Sequence, residues 1–116
     1  MKVLVCGDRN WNNVFSIKRE LQKFSDDVVI IHGAATGADT IAGQVAKELG
    51  FKVEVYPAKW NELGRAAGPI RNMQMLREGK PDLVLAFHAN LNNSKGTANM
   101  VSISRKNGVK VIHFTS

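Results

Sequence analysis

The feature that most constrains the fold of this chain is the alternation of short apolar runs with segments of helical periodicity. Five runs rich in Val, Ile and Leu predict strands at residues 3–6, 28–32, 52–56, 83–87 and 109–114. Between them, helices are predicted from apolar stripes at Val14, Ile17, Leu21 and Phe24, at Ile41, Val45 and Leu49, at Ile70, Met73 and Leu76, and over residues 98–106. Alternating strands and helices favour a parallel sheet with right-handed crossovers, so the sequence predicts an α/β fold.

The apolar content of the strands predicts their order in the sheet. The runs 3–5, 28–31 and 83–87 are continuously apolar, as strands buried on both faces are. The runs 53–55 and 109–111 alternate with charged residues, which is typical of edge strands. We therefore expect a single Rossmann-like domain over residues 1–116, with strand order 3-2-1-4-5 and helices on both faces. Ligands of such sheets bind at the carboxyl ends of the strands, beside the switch between the first and fourth strands.

Length and cysteine content limit the class of protein. With 116 residues, 44% of them hydrophobic, the chain can bury one core but not two. No run approaches ~18 apolar residues, and Lys2 leads directly into the first strand, so we expect no membrane segment and no export signal. The single cysteine, Cys6, cannot form an internal disulfide and lies in a predicted buried strand. We therefore expect Cys6 to be a core residue and the protein to be cytoplasmic.

The excess of basic over acidic residues lies entirely in the second half of the chain. The formal net charge is +6, with seven basic and seven acidic residues in positions 1–58 and nine basic and three acidic residues in positions 59–116. Such an excess indicates an anionic partner, either a nucleic acid or a small phosphorylated ligand. A basic surface that only keeps the protein in solution explains the charge equally well.

The first candidate loop, Gly7-Asp8-Arg9, follows the first central strand. A glycine lets the backbone approach a ligand closely, and Arg9 can form a bidentate contact with a phosphate or carboxylate. A tight turn with a solvated arginine is the simpler interpretation of these three residues alone.

The second candidate loop, residues 33–39, opens the second helix. Small residues leave backbone N–H groups accessible at a helix N-terminus, which predicts an anion-binding cradle; the cradle residues are Gly33, Ala34, Thr36 and Gly37. Asp39 is expected to cap the helix, with catalysis as the alternative. The spacing matches neither the Walker pattern nor G-x-G-x-x-G, so the loop predicts phosphate or ribose binding without naming the ligand.

The third candidate loop ends in Lys95, Gly96 and Thr97, where the last helix begins. Its amides and the Thr97 hydroxyl are expected to face the same crevice, and Lys95 adds a mobile charge. An ordinary helix N-cap is the simpler interpretation. His32 and His88 end central strands but lack metal-like spacing, so we expect neither a metal nor a cofactor.

The segment 57–68 has no clear period and is long for a connection, which predicts a lid. Trp60 within it is expected to stack on a ring of the ligand or to pack under the loop. In the following helix, Arg71 lies off the apolar stripe, which makes it a candidate ligand-binding arginine.

Several short motifs, taken together, resemble one protein family. They are Gly7-Asp8-Arg9, residues 33–39, Pro57-Ala58-x-Trp60, Ala67-Gly68-x-x-Arg71-Asn72-x-x-Met75, residues 82–87 and Lys95-Gly96-Thr97. In this order, and with these strands between them, the motifs resemble the YspA-like branch of the SLOG superfamily over nearly the whole chain. The resemblance implies a Rossmann-like fold and a nucleotide-type ligand. The superfamily also contains the LOG phosphoribohydrolases, the DprA single-stranded-DNA-binding proteins and nucleotide sensors.

The resemblance to the LOG enzymes is incomplete at their catalytic motif. Arg71-Asn72-x-x-Met75 is similar to the LOG Arg-Lys-x-x-Met stretch, whose arginine contributes to nucleotide binding and catalysis, with Asn72 in place of the lysine. Gly96-Thr97 is similar to the Gly-Thr of Pro-Gly-Gly-x-Gly-Thr-x-x-Glu, but Met100 stands at the glutamate position. Because a thioether can act neither as an acid nor as a base, the resemblance implies phosphate binding without LOG-type hydrolysis.

The leading interpretation is a protein that binds a nucleotide or an ADP-ribose-like derivative, as a ligand sensor or a sequestering module. One alternative is an N-glycosidase or phosphoribohydrolase in which Asp8 or Asp39 replaces the missing glutamate. A second alternative is DprA-like binding of single-stranded nucleic acid through the basic second half. The resemblance to SLOG-like proteins also implies self-association.

The basic residues of the second half divide by their expected position. Those expected near the crevice are Lys59, Arg65, Arg71 and Lys95, and those expected elsewhere in contact with solvent are Arg77, Lys80, Arg105, Lys106 and Lys110. This division favours a local anionic ligand over a long polyanion.

Overall fold

The computed structural model describes residues 1–116 and contains five strands in one sheet. They are β1 (Lys2–Gly7), β2 (Val29–His32), β3 (Lys52–Val55), β4 (Leu83–Phe87) and β5 (Lys110–Phe114). All neighbouring pairs are parallel, in the order β3-β2-β1-β4-β5. The strand order predicted from apolar content is confirmed.

Helices connect the strands. α1 (Val14–Leu21) follows β1, α2 (Ala38–Glu48) follows β2, and α5 (Gly96–Lys106) links β4 to β5. Between β3 and β4 the chain forms α3 (Trp60–Leu63), a 3-10 turn (Gly64–Ala66) and α4 (Ala67–Gln74), which continues as a π-helical turn (Met75–Gly79). None of these helices combines the length and the apolar character that a membrane span requires.

The helices cover both faces of the sheet and form a core on each. On one face, Ile17 of α1 and Val45 of α2 belong to a buried cluster with Val5 of β1. On the other face, Met75 and Met100 belong to a buried cluster with Leu4 of β1. Successive residues of a strand point to opposite faces, so a central strand supplies both cores. This two-sided burial is the reason why the central strands are apolar without alternation.

The segment 57–68, which its lack of period predicts to be irregular, is mostly helical, and its action as a lid stays a prediction. α3 begins at Trp60, and the 3-10 turn leads directly into α4 at Ala67. Helical pieces of three or four residues are shorter than the window in which a helical repeat becomes visible, so periodicity could not detect them.

The apolar stripe predicted for the helix before β4 is confirmed at Leu76, which is buried, and at Met73, which packs against the same core, but is wrong at Ile70. Ile70 is 49% exposed, and the buried positions of the helix include Gly68, Asn72 and Met75. The inner face of α4 thus carries a glycine and a hydrogen-bonded asparagine, which a search for apolar periodicity does not register.

Candidate functional site

The loops that follow β1 and β2 interlock at the carboxyl edge of the sheet. The Asp8 carbonyl accepts hydrogen bonds from the N–H groups of Trp11 (3.0 Å) and Ala38 (3.1 Å), the first residue of α2. Gly37 has a φ of +77°, and a side chain there would overlap the Asp8 carbonyl. A Cβ on Gly7 would lie 2.8 Å from the Cβ of Ala38. Both glycines are therefore required for the two loops to pack together.

Asp39 lies beneath the second loop and holds its backbone. Its Oδ2 accepts hydrogen bonds from the N–H groups of Gly33 (2.8 Å) and Ala35 (3.5 Å). Burial raises the pKa of the Asp39 carboxyl to about 6, although these N–H groups and the Arg71 guanidinium act in the opposite direction. The prediction that Asp39 caps α2 is wrong, because the carboxylate binds the loop before the helix and α2 begins without a side-chain cap.

The second loop offers fewer free amides than its small residues predict. The N–H groups of Gly33 and Ala35 are bound by Asp39, and that of Ala34 donates to Nδ1 of His32 at 3.0 Å. The N–H groups without an acceptor in the chain are those of Thr36, Gly37, Asp39 and Thr40. They lie at the positive end of α2, so the anion-binding part of the loop is its second half.

Arg71 of α4 reaches across to the end of β2. Its Nη1 donates to the carbonyl of Gly33, and its Nε donates to Oδ1 of Asn72 at 3.0 Å. The guanidinium forms no salt bridge. Burial lowers the pKa of Arg71, while the nearby Asp39 and Cys6 act in the opposite direction. The remaining N–H donors of this half-buried cation have no acceptor in the protein, and an anionic ligand would supply one.

Asn72 joins α4 to the start of α5. Its Nδ2 donates to the carbonyl of Gly96 at 3.2 Å and to Oδ1 of Asn99 at 3.0 Å, and the residue is buried. Because Asn72 also accepts a hydrogen bond from Arg71, this pair of neighbours connects the second loop with the third.

The start of α5 is capped by Ser94 and not by the residues that the sequence suggested. Ser94 Oγ accepts a hydrogen bond from the N–H of Thr97 at 3.0 Å, and Thr97 is buried. The N–H groups of Gly96 and Ala98 have no acceptor in the chain. These free N–H groups give the carboxyl edge of the sheet a second helix N-terminus, beside that of α2.

Asp8 and His88 lie side by side at the switch point of the sheet. Gly7 pairs with Phe87 in the β1–β4 ladder, so Asp8, which follows Gly7, lies beside His88, which follows Phe87. Nδ1 of His88 accepts a hydrogen bond from the N–H of Asn90 at 3.0 Å, which leaves the proton on Nε2, 3.8 Å from Oδ2 of Asp8. His88 was not predicted as a site residue; its position at the end of a central strand was the available signal.

Three predicted site residues lie at exposed positions without a hydrogen bond or salt bridge to the others: Arg9, Lys95 and Trp60. The Trp60 indole is 57% exposed and lies over Gly68, where a Cβ would be 3.2 Å from the ring. Gly68 is one helical turn before Arg71, so Trp60 borders the site and does not pack beneath the loop.

Met100, which stands at the position of the LOG glutamate, does not face the crevice. Met100 is 1% exposed and packs in the core with Leu4 and Met75. Of the two acidic candidates, Asp39 is buried and bound to backbone, whereas the side chain of Asp8 is 28% exposed. No group of three or more His, Cys, Asp or Glu side chains is arranged to hold a metal ion.

Fold and site together define a Rossmann-like protein with two helix N-termini and a half-buried arginine at the carboxyl edge of its sheet. The model of the YspA, cpYpsA-related SLOG family matches residues 1–62. The Gene 61 protein of Mycobacterium phage D29 is 36% identical over 122 aligned residues, which cover 97% of this chain and 95% of the phage protein. The chain belongs to the YspA, cpYpsA-related SLOG family, which confirms the resemblance inferred from its motifs.

Two solved structures share the fold at low sequence identity. DNA processing protein A (DprA) from Streptococcus pneumoniae has a TM-score of 0.54 and 19% identity, over 98% of this chain and 59% of the DprA chain. UDP-GlcNAc 2-epimerase from Neisseria meningitidis, bound to UDP-GlcNAc, has a TM-score of 0.53 and 21% identity, over 97% of this chain and 32% of the epimerase chain. The chain therefore spans about a third to three fifths of these structures, and the likeness establishes the Rossmann-like architecture.

Proposed function

We propose that this protein binds a nucleotide or a nucleotide derivative of the ADP-ribose type in the crevice beside the carboxyl ends of β1, β2 and β4. Membership of a SLOG family supports a nucleotide- or nucleic-acid-binding role in general. The proposal includes a cytoplasmic location, which the buried free thiol of Cys6 supports.

The observation that carries the proposal is the state of Arg71. Its Nε and Nη1 are hydrogen-bonded within the protein, it forms no salt bridge, and its remaining donors face solvent, where they are available to an anion. Arg71 donates to the Gly33 carbonyl, within the loop that leads to the free amides of α2. A phosphate bound there would be held by a helix N-terminus and an arginine, the two groups most suited to it.

The other residues have complementary roles in this proposal. The amides of Gly96 and Ala98 and the Thr97 hydroxyl bind a second phosphate or a ribose, and Asp8 accepts hydrogen bonds from ribose hydroxyls. Arg9 and Lys95, both exposed, neutralise charge at the rim. Trp60 covers the base, because a half-exposed indole beside a polar site offers a stacking surface.

The experiment is isothermal titration calorimetry with AMP, ADP, ADP-ribose and UDP-GlcNAc. We expect at least one of these ligands to bind, and Arg71→Lys to weaken that binding because a lysine cannot reproduce the paired N–H donors. Arg65→Ala is the matched control, because Arg65, although expected near the crevice, is exposed in the neighbouring 3-10 turn and forms no hydrogen bond or salt bridge with the site residues. Absence of binding by all four ligands, or equal affinity of Arg71→Lys and Arg65→Ala, contradicts the proposal.

The same preparation tests the enzymatic alternative. Incubation with AMP, GMP, CMP and NAD, followed by chromatography, would reveal free base and ribose phosphate if the protein cleaves the glycosidic bond. Because a core methionine stands at the LOG glutamate, we expect the nucleotides to remain intact. A product that disappears in Asp8→Asn would assign the reaction to Asp8 and replace binding as the function.

A further inference from the structure

Two adjoining cavities lie on the outer side of α4 and its π-helical continuation. The first has a volume of about 380 Å³ and is lined by residues of the segment after β3 and of α4. The second, of about 270 Å³, lies between the end of the helix and the turn before β5. Met73 and Arg77 line both cavities, so the two spaces meet at these side chains.

The charged residues that line the cavities are nearly all basic. They are Lys59, Arg71 and Arg77 with Glu78 in the first cavity, and Arg77 with Lys80 in the second. None of the four cations forms a salt bridge. Arg77 and Lys80, expected to be solvated apart from any site, instead extend the positive surface that begins at Arg71. A surface with four unpaired cations and one acid favours an anionic partner.

Each cavity also has the features that a base requires. Gln74 lines the first and Asn107 the second, and Met73 lines both. Nδ2 of Asn107 donates to the Ile103 carbonyl at 2.7 Å, which leaves its Oδ1 as the group available to a base. Carboxamides pair with the edges of bases, and flexible apolar side chains pack against their faces. At the roughly 30 Å³ that water occupies per molecule, the 270 Å³ cavity holds the equivalent of about nine waters, which is enough for one base.

We propose that this surface binds a single strand of nucleic acid, with one base in each cavity and the phosphate between them on Arg77. The observation behind this arrangement is that Arg77 and Met73 line both spaces. The helix from Ala67 to Gly79 is long enough, at 1.5 Å per residue, to contact about three or four successive nucleotides. The first cavity shares Arg71 with the nucleotide crevice, whereas Arg77 and Lys80 belong only to this surface, so substitutions at Arg77 and Lys80 separate the two proposals.

Two other partners fit the surface less well. A duplex presents its phosphates outward and its bases inward, so it would leave two concave, partly apolar cavities empty. A second copy of this chain packed symmetrically on the same surface would bring Arg77 and Lys59 towards their own counterparts, which costs electrostatic energy.

The experiment measures binding of a fluorescent single-stranded oligothymidylate by anisotropy over a series of NaCl concentrations. If the three cations that the nucleotide crevice does not use, Lys59, Arg77 and Lys80, contact phosphates, the slope of log K against log[NaCl] should be about −2, from roughly 0.7 per contact. We expect Arg77→Ala to weaken binding about tenfold and to reduce the slope by about 0.7, and Lys80→Ala to act in the same direction. Arg19→Ala is the control for net charge, because Arg19 is exposed on α1 of the opposite face, where its one salt bridge is to the adjacent Glu20 at 3.5 Å.

Thermal unfolding of each variant shows whether it is still folded. Because the substituted side chains are exposed, we expect each variant to stay folded. Equal weakening by Arg77→Ala and Arg19→Ala would show attraction by net charge alone and overturn the proposal. So would tighter binding of the matching duplex, no binding at low salt, or a dimer in analytical ultracentrifugation that Arg77→Ala dissociates. Because Arg77→Ala should keep the calorimetric response to small nucleotides, failure here is distinguishable from failure of the nucleotide-binding proposal.

Discussion

Asp39 and Arg71 hold the same residue from two sides. The Asp39 carboxylate accepts a hydrogen bond from the N–H of Gly33, and the Arg71 guanidinium donates to the carbonyl of Gly33. A side chain on Gly33 would overlap the guanidinium, so only glycine permits this arrangement. The loop that ends β2 is thereby fixed by a buried acid and a half-buried base that form no salt bridge with each other.

Replacing Arg71 by alanine should destabilise the protein as well as abolish ligand binding. The change removes a charged donor and leaves the Gly33 carbonyl without its partner, which costs about 2 kcal/mol. Urea denaturation of Arg71→Ala beside Arg65→Ala measures the difference. The control should lie within about 0.5 kcal/mol of the original protein, and an equally small effect of Arg71→Ala would refute the structural role of this hydrogen bond.

The free energy of unfolding should depend on pH through Asp39. Its pKa is raised from 3.8 to about 6 in the folded state, so folding increases its affinity for a proton. The stability that the group contributes is complete below about pH 4 and is lost as the pH rises through about 6, by a total of about 3 kcal/mol. In Asp39→Asn, which does not titrate, this decrease should be absent.

The measurement is urea denaturation of both proteins from about pH 4 to about pH 8. The stability of the original protein relative to Asp39→Asn should fall across this range, and a constant difference would rule out titration of Asp39. In Arg71→Ala the loss of stability with rising pH should extend to higher pH, because the Arg71 guanidinium lowers the pKa of Asp39 in the original protein.

Gly37 and Gly50 provide a matched pair for the packing of the first two loops. Their φ angles are +77° and +78°, but a Cβ on Gly37 would overlap the backbone of Asp8 and Arg9, whereas nothing lies within 4 Å of a Cβ on Gly50. Gly50→Ala should cost about 1 kcal/mol from backbone conformation alone. Gly37→Ala should cost about 1–3 kcal/mol more, because of the overlap and because its ψ of −126° lies outside the left-handed region that other residues can adopt. Similar melting temperatures of the two variants would be inconsistent with the interlocked loops.

Introducing the LOG glutamate should damage the fold and should not create an enzyme. Met100→Glu places an ionisable group in the core without a partner, at a cost of about 3 kcal/mol or more. Met100→Leu, which conserves volume, should cost less than about 1.5 kcal/mol. Circular dichroism during heating compares the two. A stable Met100→Glu variant that releases base from AMP would mean that this position does reach the crevice.

Much of the fold could be predicted from the sequence because the burial of a strand determines which residues it contains. Continuous apolar runs in β1, β2 and β4, and charges at Glu54 and Lys110 in β3 and β5, are direct consequences of central and edge positions. The helical pieces after Trp60 were missed because they are only three or four residues long. The buried positions Gly68 and Asn72 of α4 were missed because a glycine and an asparagine leave no apolar pattern.

The site could be predicted as a set of loops but not as a set of contacts. The small residues of the second loop indicated accessible amides, yet Asp39 and the His32 ring occupy three of them. Ser94 caps α5 through a local bond to Thr97, three residues away. His88 lies beside Asp8 because residues of neighbouring loops meet only after the sheet has formed. Which amides stay free is therefore a property of the assembled edge.

The sequence by itself determined that the chain forms a doubly covered parallel sheet and which loops end at its carboxyl edge, because apolar periodicity is local and strand order follows from burial. Only the tertiary structure decided what those loops do. The hydrogen bond from Arg71 to Gly33 spans 38 residues and that from Asn72 to Asn99 spans 27. Such bonds join polar groups whose partners are distant in the chain, so no local pattern records them until the sheet brings both ends together.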